Sequence, residues 1–435
     1  DSVLYYLNKP HKVTLFDYEK GHIEKEMSSM DSIRYMVKFM HCAMVAMEPE
    51  TGAVRAWVGD IDFKTWKYDK VVAQRQPGST FKLFVYSEAF NQGLTPCDKR
   101  RDEYISMEVL DKKTGLMKTW TPHNANGRFS NDSITLKSAF ARSINSIAVR
   151  LGQEMGIKNI IRTAQEMGIK SPLDDEPSLA LGSSDVNLLE LVNAYSTVAN
   201  EGEHHVPVVV TRILDKDGNE VYVAPKDHER VLPYKSAFLM QQMLKAGVNE
   251  GGGTSQALRH YIFGDTDWGG KTGTSNNHSD AWFIAVSPKL VVGAWVGGEY
   301  RSIHFRTGAL GQGSKTALPI CGEFIYSLMR DKAFQKYHAK WQIDPDEGID
   351  PTAYNCQPTV IRHALPDSLQ GVISRRRHQE KEEEPIDENE NNDEGGFILE
   401  PMPQPAPERE NNSPNNESQK IIKKAKKPRS EDMEV

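Results

Sequence analysis

The serine and lysine in the stretch RQPGSTFK, Ser79 and Lys82, have types and a spacing that could do chemistry. Pro77-Gly78 before them is a turn signal, and apolar residues follow at helical spacing, which predicts a helix that begins near Ser79. Residues three apart share one helix face, so the hydroxyl and the amine can meet. The positive end of the helix dipole helps to lower the pKa of the lysine. The pair therefore predicts a nucleophilic serine with a lysine as its base, although a serine here could also be a simple helix cap.

Two further short motifs could complete such a site. Ser143-Ile144-Asn145 interrupts a helical pattern, and Lys271-Thr272-Gly273-Thr274-Ser275 leads into an apolar strand. A second ammonium, that of Lys271, would lower the pKa of Lys82 further and would attract a substrate carboxylate. Each motif alone is a weak indication of function, and only the three together in this order predict a particular one.

The elements that must position these residues follow from the apolar pattern. Residues 42–59 predict a β-hairpin, 79–260 a mostly helical middle, and 281–298 two strands that are covered on both faces. If the early and late strands share one antiparallel sheet, the helical middle is an insertion. A cleft then forms where the inserted helices meet the edge of the sheet.

The composition of the 435-residue chain bounds the other possibilities. Most of the net charge of −7 lies in residues 375–435, which are rich in charge and proline and poor in apolar side chains, so we expect this tail to be disordered. The remainder is close to neutral, which gives no support to nucleic-acid binding. The four cysteines lack metal-ligand spacing, and whether any of them pair stays open; they are Cys42, Cys97, Cys321 and Cys356.

The order S-x-x-K, S-x-N, K-T-G is the signature of the penicillin-recognising serine enzymes. Residues 30–330 resemble the transpeptidase domain of a class A penicillin-binding protein, through RQPGSTFK, NDSITLKSAFARSINSIAVRL, PSLALGSSDVNLLELVNAYSTVANEG and GGKTGTSNNHSDAWFIAVSP. The resemblance implies an α/β fold of the α+β type, that of penicillin-binding proteins and β-lactamases. In that fold a five-stranded antiparallel sheet lies between helices and carries an inserted all-helical subdomain.

The resemblance also implies roles for the motif residues. Ser79 would be acylated and Lys82 would take its proton, while Ser143 would relay a proton to the leaving amine. Asn145 would hold the lysine and the substrate amide. The backbone N–H groups of Ser79 and Thr274 would form the oxyanion hole.

The remaining motif residues are predicted to bind substrate. They are the catalytic cation Lys271 and the substrate-binding residues Thr272, Gly273, Thr274 and Ser275. We expect the two threonine hydroxyls to bind a terminal carboxylate and Gly273 to leave room for a peptide along the strand edge. No metal and no organic cofactor is expected.

Two other functions share these motifs, namely a β-lactamase and a non-catalytic β-lactam sensor. The stretch EPSLA resembles the loop that carries the deacylating glutamate of β-lactamases, but Ala180 stands where that loop has asparagine, so Glu176 is interpreted as structural. The N-terminal residues resemble the linker of bifunctional class A proteins, which favours a transpeptidase.

The class implies further expectations about the whole protein. Its substrates would be peptidoglycan stem peptides ending in D-Ala-D-Ala and an acceptor amine, and β-lactams would inhibit it covalently. A glycosyltransferase domain and a membrane anchor would precede these residues, and the domain would work at the periplasmic face of the bacterial cytoplasmic membrane. The expected division of the chain is a linker remnant at 1–40, the transpeptidase domain at 41–335, an extension at 336–374 and the tail at 375–435.

Overall fold

The computed structural model describes residues 2–110, 114–361 and 433–434. The helices are α1 Ser2–Asn8, α2 Ser29–Met36, α3 Lys82–Asn91, α4 Leu136–Ala141, α5 Asn145–Met155, α6 Ile157–Glu166, α7 Leu188–Ala199, α8 Tyr234–Asn249, α9 Gly308–Gly311 and α10 Ala317–Arg330. The strands are β1 His11–Asp17, β2 Gly21–Met27, β3 Met40–Met47, β4 Val54–Val58, β5 Lys99–Arg101, β6 Met107–Leu110, β7 Met117–Trp120, β8 Ser133–Thr135, β9 Glu203–His205, β10 Arg212–Leu214, β11 Glu220–Val223, β12 His228–Arg230, β13 Gly269–Thr274, β14 Asp280–Val286, β15 Val291–Gly298, β16 His304–Phe305 and β17 Met433–Glu434. Apart from β17, the predicted tail lies outside the described residues.

A five-stranded antiparallel sheet of order β13-β14-β15-β3-β4 is the centre of the domain. Its first three strands come from late in the sequence and its last two from early in the sequence, as expected, and the two groups join where β15 pairs with β3. Strands β14 and β15 are buried at every position, so both faces of the sheet are covered. The fold predicted from the resemblance is confirmed.

Two hydrophobic clusters cover the two faces of the sheet. Because side chains alternate along a strand, Val45 and Trp295 point into one cluster with the inserted helices, whereas Ala46 and Phe283 point into the other with α10. Helix α3 lies within the larger cluster and is buried from Lys82 to Phe90. Helix α3, which carries Lys82, is therefore buried over almost its whole length.

The inserted subdomain is not all-helical, which corrects that prediction. It contains four short antiparallel strand pairs, β5-β8, β6-β7, β9-β12 and β10-β11. The signals were present in the sequence: Val221 and Val223 alternate with polar positions after the turn residues Asp217 and Gly218.

The extension after α10 packs back onto the inserted helices. Cys97 and Cys356 form a disulfide, which decides the question of pairing, while Cys42 and Cys321 are free. Close to the disulfide, Thr359 N–H donates to the Ser138 hydroxyl of α4. The extension thus braces the helix that leads into the S-x-N motif.

Candidate active site

The turn before Ser79 is fixed by close backbone contact with β13. Gly78 has φ +53°, and a Cβ at this position would lie 2.6 Å from Thr274 O, so only glycine lets the two backbones approach. Ser79 itself lies in a short 3₁₀ helix, Gly78–Phe81, that continues directly into α3. The helix begins where the sequence predicted it, and its first turn sits at the end of β13.

Lys82 is completely buried, and in the described residues no hydrogen bond joins its ammonium to the Ser79 hydroxyl with which it was expected to pair. Its Nζ donates to the Asn145 side-chain oxygen at 2.7 Å, to Ser143 O at 2.8 Å, and at 3.3 Å to Ser143 Oγ and Ile144 O. Among the described residues the Ser79 hydroxyl makes no hydrogen bond. The half-buried Ser79 is therefore only three residues from the buried lysine, but the lysine ammonium is hydrogen-bonded to residues of the S-x-N motif.

Burial is the largest cause that lowers the pKa of Lys82 well below its usual value, and the charge of Lys271 is the second. The pKa of Lys271 is itself lowered to about 7, because that side chain is buried too. The contribution of Lys271 was foreseen from the sequence, but the dominant effect of desolvation was not, since burial belongs to the tertiary fold.

The Ser143 hydroxyl joins the two lysines. Ser143 has φ +58°, an uncommon value for a residue with a side chain, and it lies between α4 and α5. Its Oγ accepts from Lys82 Nζ at 3.3 Å and from Lys271 Nζ at 2.9 Å. A hydroxyl that accepts from two ammonium groups still has its own hydrogen to donate.

Asn145 is positioned by a buried polar network that sequence reasoning missed. The Asn124 side-chain oxygen accepts from the N–H groups of Asn145 at 2.9 Å and Ser146 at 3.2 Å, and so caps α5 from a distant loop. Asp102 in turn accepts from the Asn124 amide at 2.7 Å and the Ser146 hydroxyl at 2.6 Å. Asn124 belongs to the stretch PHNANG, and only its place in the fold identifies its role.

The strand β13 brings the K-T-G residues beside this cluster, and Gly273 has a packing role that the sequence did not predict. A Cβ on Gly273 would lie 2.3 Å from Pro77 O, so the glycine lets the turn before Ser79 dock on the strand. Thr274 Oγ1 accepts from Gly313 N–H at 3.2 Å. Thr272 Oγ1 donates to Thr254 Oγ1 at 2.8 Å.

Ser275 lies differently from the other residues of its motif. Its hydroxyl is buried and bonded to Ser279 at 2.8 Å and to Asp280 at 3.1 Å. These bonds fix the turn after β13 and give no support to the prediction that Ser275 contacts substrate.

The loop that resembles the β-lactamase stretch packs against the turn before Ser79, since a Cβ on Gly182 would lie 2.3 Å from Gly78 O. Ala180 is buried where β-lactamases have asparagine, and a Cβ on Gly152 would lie 2.9 Å from its methyl group, so this part of the loop is apolar packing. His205 stacks on His228 across the β9-β12 pair. Over residues 2–110 and 114–361, no cluster of histidine, cysteine or acidic side chains could hold a metal, and no helix is long and apolar enough to cross a membrane.

The sheet, the insertion and the three motifs that converge at the end of β13 define a penicillin-recognising serine protein. Residues 42–296 match the penicillin-binding protein transpeptidase domain, and residues 1–40 match the penicillin-binding protein middle domain. The first match covers more than half of the chain, and the chain belongs to the family of penicillin-binding protein transpeptidase domains.

Similar proteins agree with this assignment. Over 347 residues the chain is 33% identical to penicillin-binding protein 1A of Neisseria meningitidis, a match that covers 75% of this chain and 42% of that protein. The structure of penicillin-binding protein 1A from Haemophilus influenzae has a TM-score of 0.62 at 24% identity and covers 76% of this chain and 51% of that one. PonA1 from Mycobacterium tuberculosis in complex with penicillin V has a TM-score of 0.58 at 20% identity and covers 79% and 92%. The chain thus spans less than half the length of the curated relative.

Proposed function

We propose that this chain is a serine DD-transpeptidase module that cross-links peptidoglycan stem peptides through an acyl-enzyme on Ser79. The observation that carries the proposal is the convergence of two buried lysines on one hydroxyl, that of Ser143, beside the turn that presents Ser79. Burial lowers the pKa of Lys82 well below its usual value and so favours the neutral amine, and only a neutral amine can accept a proton.

In this mechanism Ser79 Oγ attacks the carbonyl of the D-Ala-D-Ala bond and its proton passes to neutral Lys82. No hydrogen bond joins Ser79 Oγ to Lys82 Nζ in the described residues, so this proton transfer requires the two groups to come into contact when substrate binds. The developing oxyanion accepts from the N–H groups of Ser79 and Thr274, whose backbones the contact at Gly78 brings together.

Ser143 then donates its hydrogen to the departing D-alanine nitrogen and recovers a proton from the lysine pair. An acceptor amine attacks the acyl-enzyme in a transpeptidation, or water attacks it in a carboxypeptidation. Thr274 and Lys271 hold the terminal carboxylate of the substrate. Asn145 holds the substrate amide, while Gly273 and Ser275 shape the strand end.

The remaining expectations stand as parts of the same proposal. We infer the division into 1–40, 41–335, 336–374 and 375–435, with a parent protein that also carries glycosyltransferase activity and a membrane anchor and works at the periplasmic face of the membrane. β-Lactams would acylate Ser79, as the penicillin V complex of PonA1 suggests for a protein of the same fold. No metal, organic cofactor or nucleic acid takes part.

Labelling with a fluorescent penicillin tests the proposal. We expect stable label on the protein and none on Ser79→Ala, with Ser87→Ala, a buried serine farther along α3, as the matched control. Loss of label within seconds in a chase would indicate a β-lactamase. Label that persists on Ser79→Ala would exclude this serine as the nucleophile.

A further inference from the structure

The turn between β13 and β14 is built around one carboxylate, that of Asp280. Asp280 is the first residue of β14 and is completely buried. Its Oδ2 lies 3.1 Å from the Ser275 hydroxyl and 2.9 Å from the Ser279 hydroxyl, and its N–H donates to Ser275 Oγ at 2.9 Å. Ser275 directly follows Thr274, whose N–H is one of the two proposed oxyanion donors. The carboxylate therefore fixes the backbone that follows this donor.

The other carboxylate oxygen faces the segment that leads to Ser79. Oδ1 of Asp280 accepts from Trp295 Nε1 at 3.1 Å and lies 3.9 Å from a guanidinium nitrogen of Arg75. The Arg75 side chain is only 11% exposed, and its guanidinium lies over the Trp295 ring. The backbone of Arg75 exchanges two hydrogen bonds of 3.0 Å with Val186, so both ends of this residue are fixed four positions before Ser79.

A carboxylate is a costly way to fill a buried position, because its charge and its lone pairs must be satisfied by partners. Both oxygens of Asp280 have such partners, and these come from the two sides of the proposed oxyanion hole. Trp282, two residues further along β14, adds a bond to the same upstream segment, from its Nε1 to Gln76 O at 2.7 Å. The start of β14 thus joins the residues before Ser79 to the residues after Thr274.

We propose that Asp280 is a positioning residue for acyl transfer, which holds the N–H groups of Ser79 and Thr274 at the separation that the oxyanion needs. The inference rests on the proposed function, which supplies the oxyanion. Fixed donors stabilise a developing charge because they need no rearrangement when the reaction occurs, and a small displacement loses much of that advantage.

The test separates positioning from general stability. The limiting acylation rate constant k2 and the dissociation constant of the noncovalent complex are measured by stopped flow with a fluorescent penicillin, since stabilisation of the oxyanion acts on the transition state and enters k2. The variants are Asp280→Ala and Asp280→Asn, with the melting temperature recorded for each. Glu88→Ala is the matched control, because Glu88 is also a buried carboxylate that accepts from two donors and lies 4.0 Å from an arginine, but it is on α3 away from the turn.

Loss of one oxyanion donor costs about two to three orders of magnitude in rate, and a displaced donor loses part of that. We therefore expect k2 of Asp280→Ala to fall at least about ten-fold, while the dissociation constant changes less than about three-fold. Asp280→Asn keeps an oxygen for Trp295 and places an amide beside the serine hydroxyls, so its k2 should fall less than about three-fold. Glu88→Ala should lower the melting temperature and leave k2 within about two-fold.

An unchanged k2 in Asp280→Ala, a loss that lies in the dissociation constant, or an equal loss of k2 in Glu88→Ala would overturn the positioning role. So would an Asp280→Asn protein as slow as Asp280→Ala, since the amide preserves the bonds on which the role depends. If Asp280→Ala fails to fold, Ser279→Ala removes one donor from Oδ2 and should lower k2 about three-fold, and an unchanged k2 there would contradict the proposal. Absence of acylation in the wild type, or label that persists on Ser79→Ala, would overturn the proposed function itself and this inference with it.

Discussion

Removing the charge of Lys271 should move the pH dependence of acylation to higher pH. The Nζ atoms of Lys82 and Lys271 lie 3.3 and 2.9 Å from the same Ser143 Oγ, and so at most about 6.2 Å apart. At an effective dielectric constant of about 20, two unit charges at that distance repel by about 2.7 kcal/mol, which corresponds to about two pH units. Lys271→Gln removes this repulsion, which acts in full only while Lys271 is charged, and the pKa of Lys271 is itself lowered to about 7, so about two pH units is an upper value.

The direction of this pH shift follows from the fact that only the neutral form of Lys82 can accept a proton. The repulsion lowers the pKa of Lys82, so its loss raises that pKa, and the neutral base appears only at higher pH. Burial remains in the variant and is the larger cause, so the new midpoint should still lie below that of an ordinary lysine.

The assay is the acylation rate constant for a fluorescent penicillin across pH, with each profile normalised to its own maximum so that weaker carboxylate binding does not enter. Lys216→Gln, an exposed lysine on the β10-β11 hairpin, is the matched control and should leave the profile unchanged. We expect the rising limb of Lys271→Gln to shift upward by up to about two pH units. An unshifted limb, or a shift to lower pH, would refute the electrostatic coupling of the two lysines.

Three further predictions follow from packing. Gly273→Ala should push the turn before Ser79 off β13 and lower the acylation rate more than it lowers the melting temperature; an unchanged rate constant would contradict the contact with Pro77. Asn124→Ala should cost about 2 kcal/mol in urea unfolding, because it leaves the cap of α5 and a buried carboxylate unpaired; exposed Asn126→Ala should be near neutral. Replacing both Cys97 and Cys356 by serine should cost about 2–5 kcal/mol, and the same unfolding midpoint for both proteins under non-reducing conditions would argue against the bridge.

The sequence located two of the three motifs at the right secondary-structure features because these features are local. Ser79 and Lys82 share a helix start, and Ser143 and Asn145 share a helix break, so spacing and turn signals could identify both motifs. The pairing of early and late strands could also be inferred, because continuous apolar runs are typical of strands buried on both faces.

Contacts between distant segments were beyond that reasoning. The β5-β8 and β9-β12 pairs, the cap from Asn124 and the bridge from Cys97 to Cys356 join residues whose separation in the chain carries no periodic signal. The direction in which Lys82 points is of the same kind, since its acceptors lie more than sixty residues away.

The sequence by itself determined the family, the order of the three motifs and the residues able to act as nucleophile and base. Only the tertiary structure decided their electrostatics, because the pKa of a lysine depends on burial and on a second charge brought in by another strand. It likewise decided why Gly273 must be glycine, since a close approach exists only between elements that folding has brought into contact.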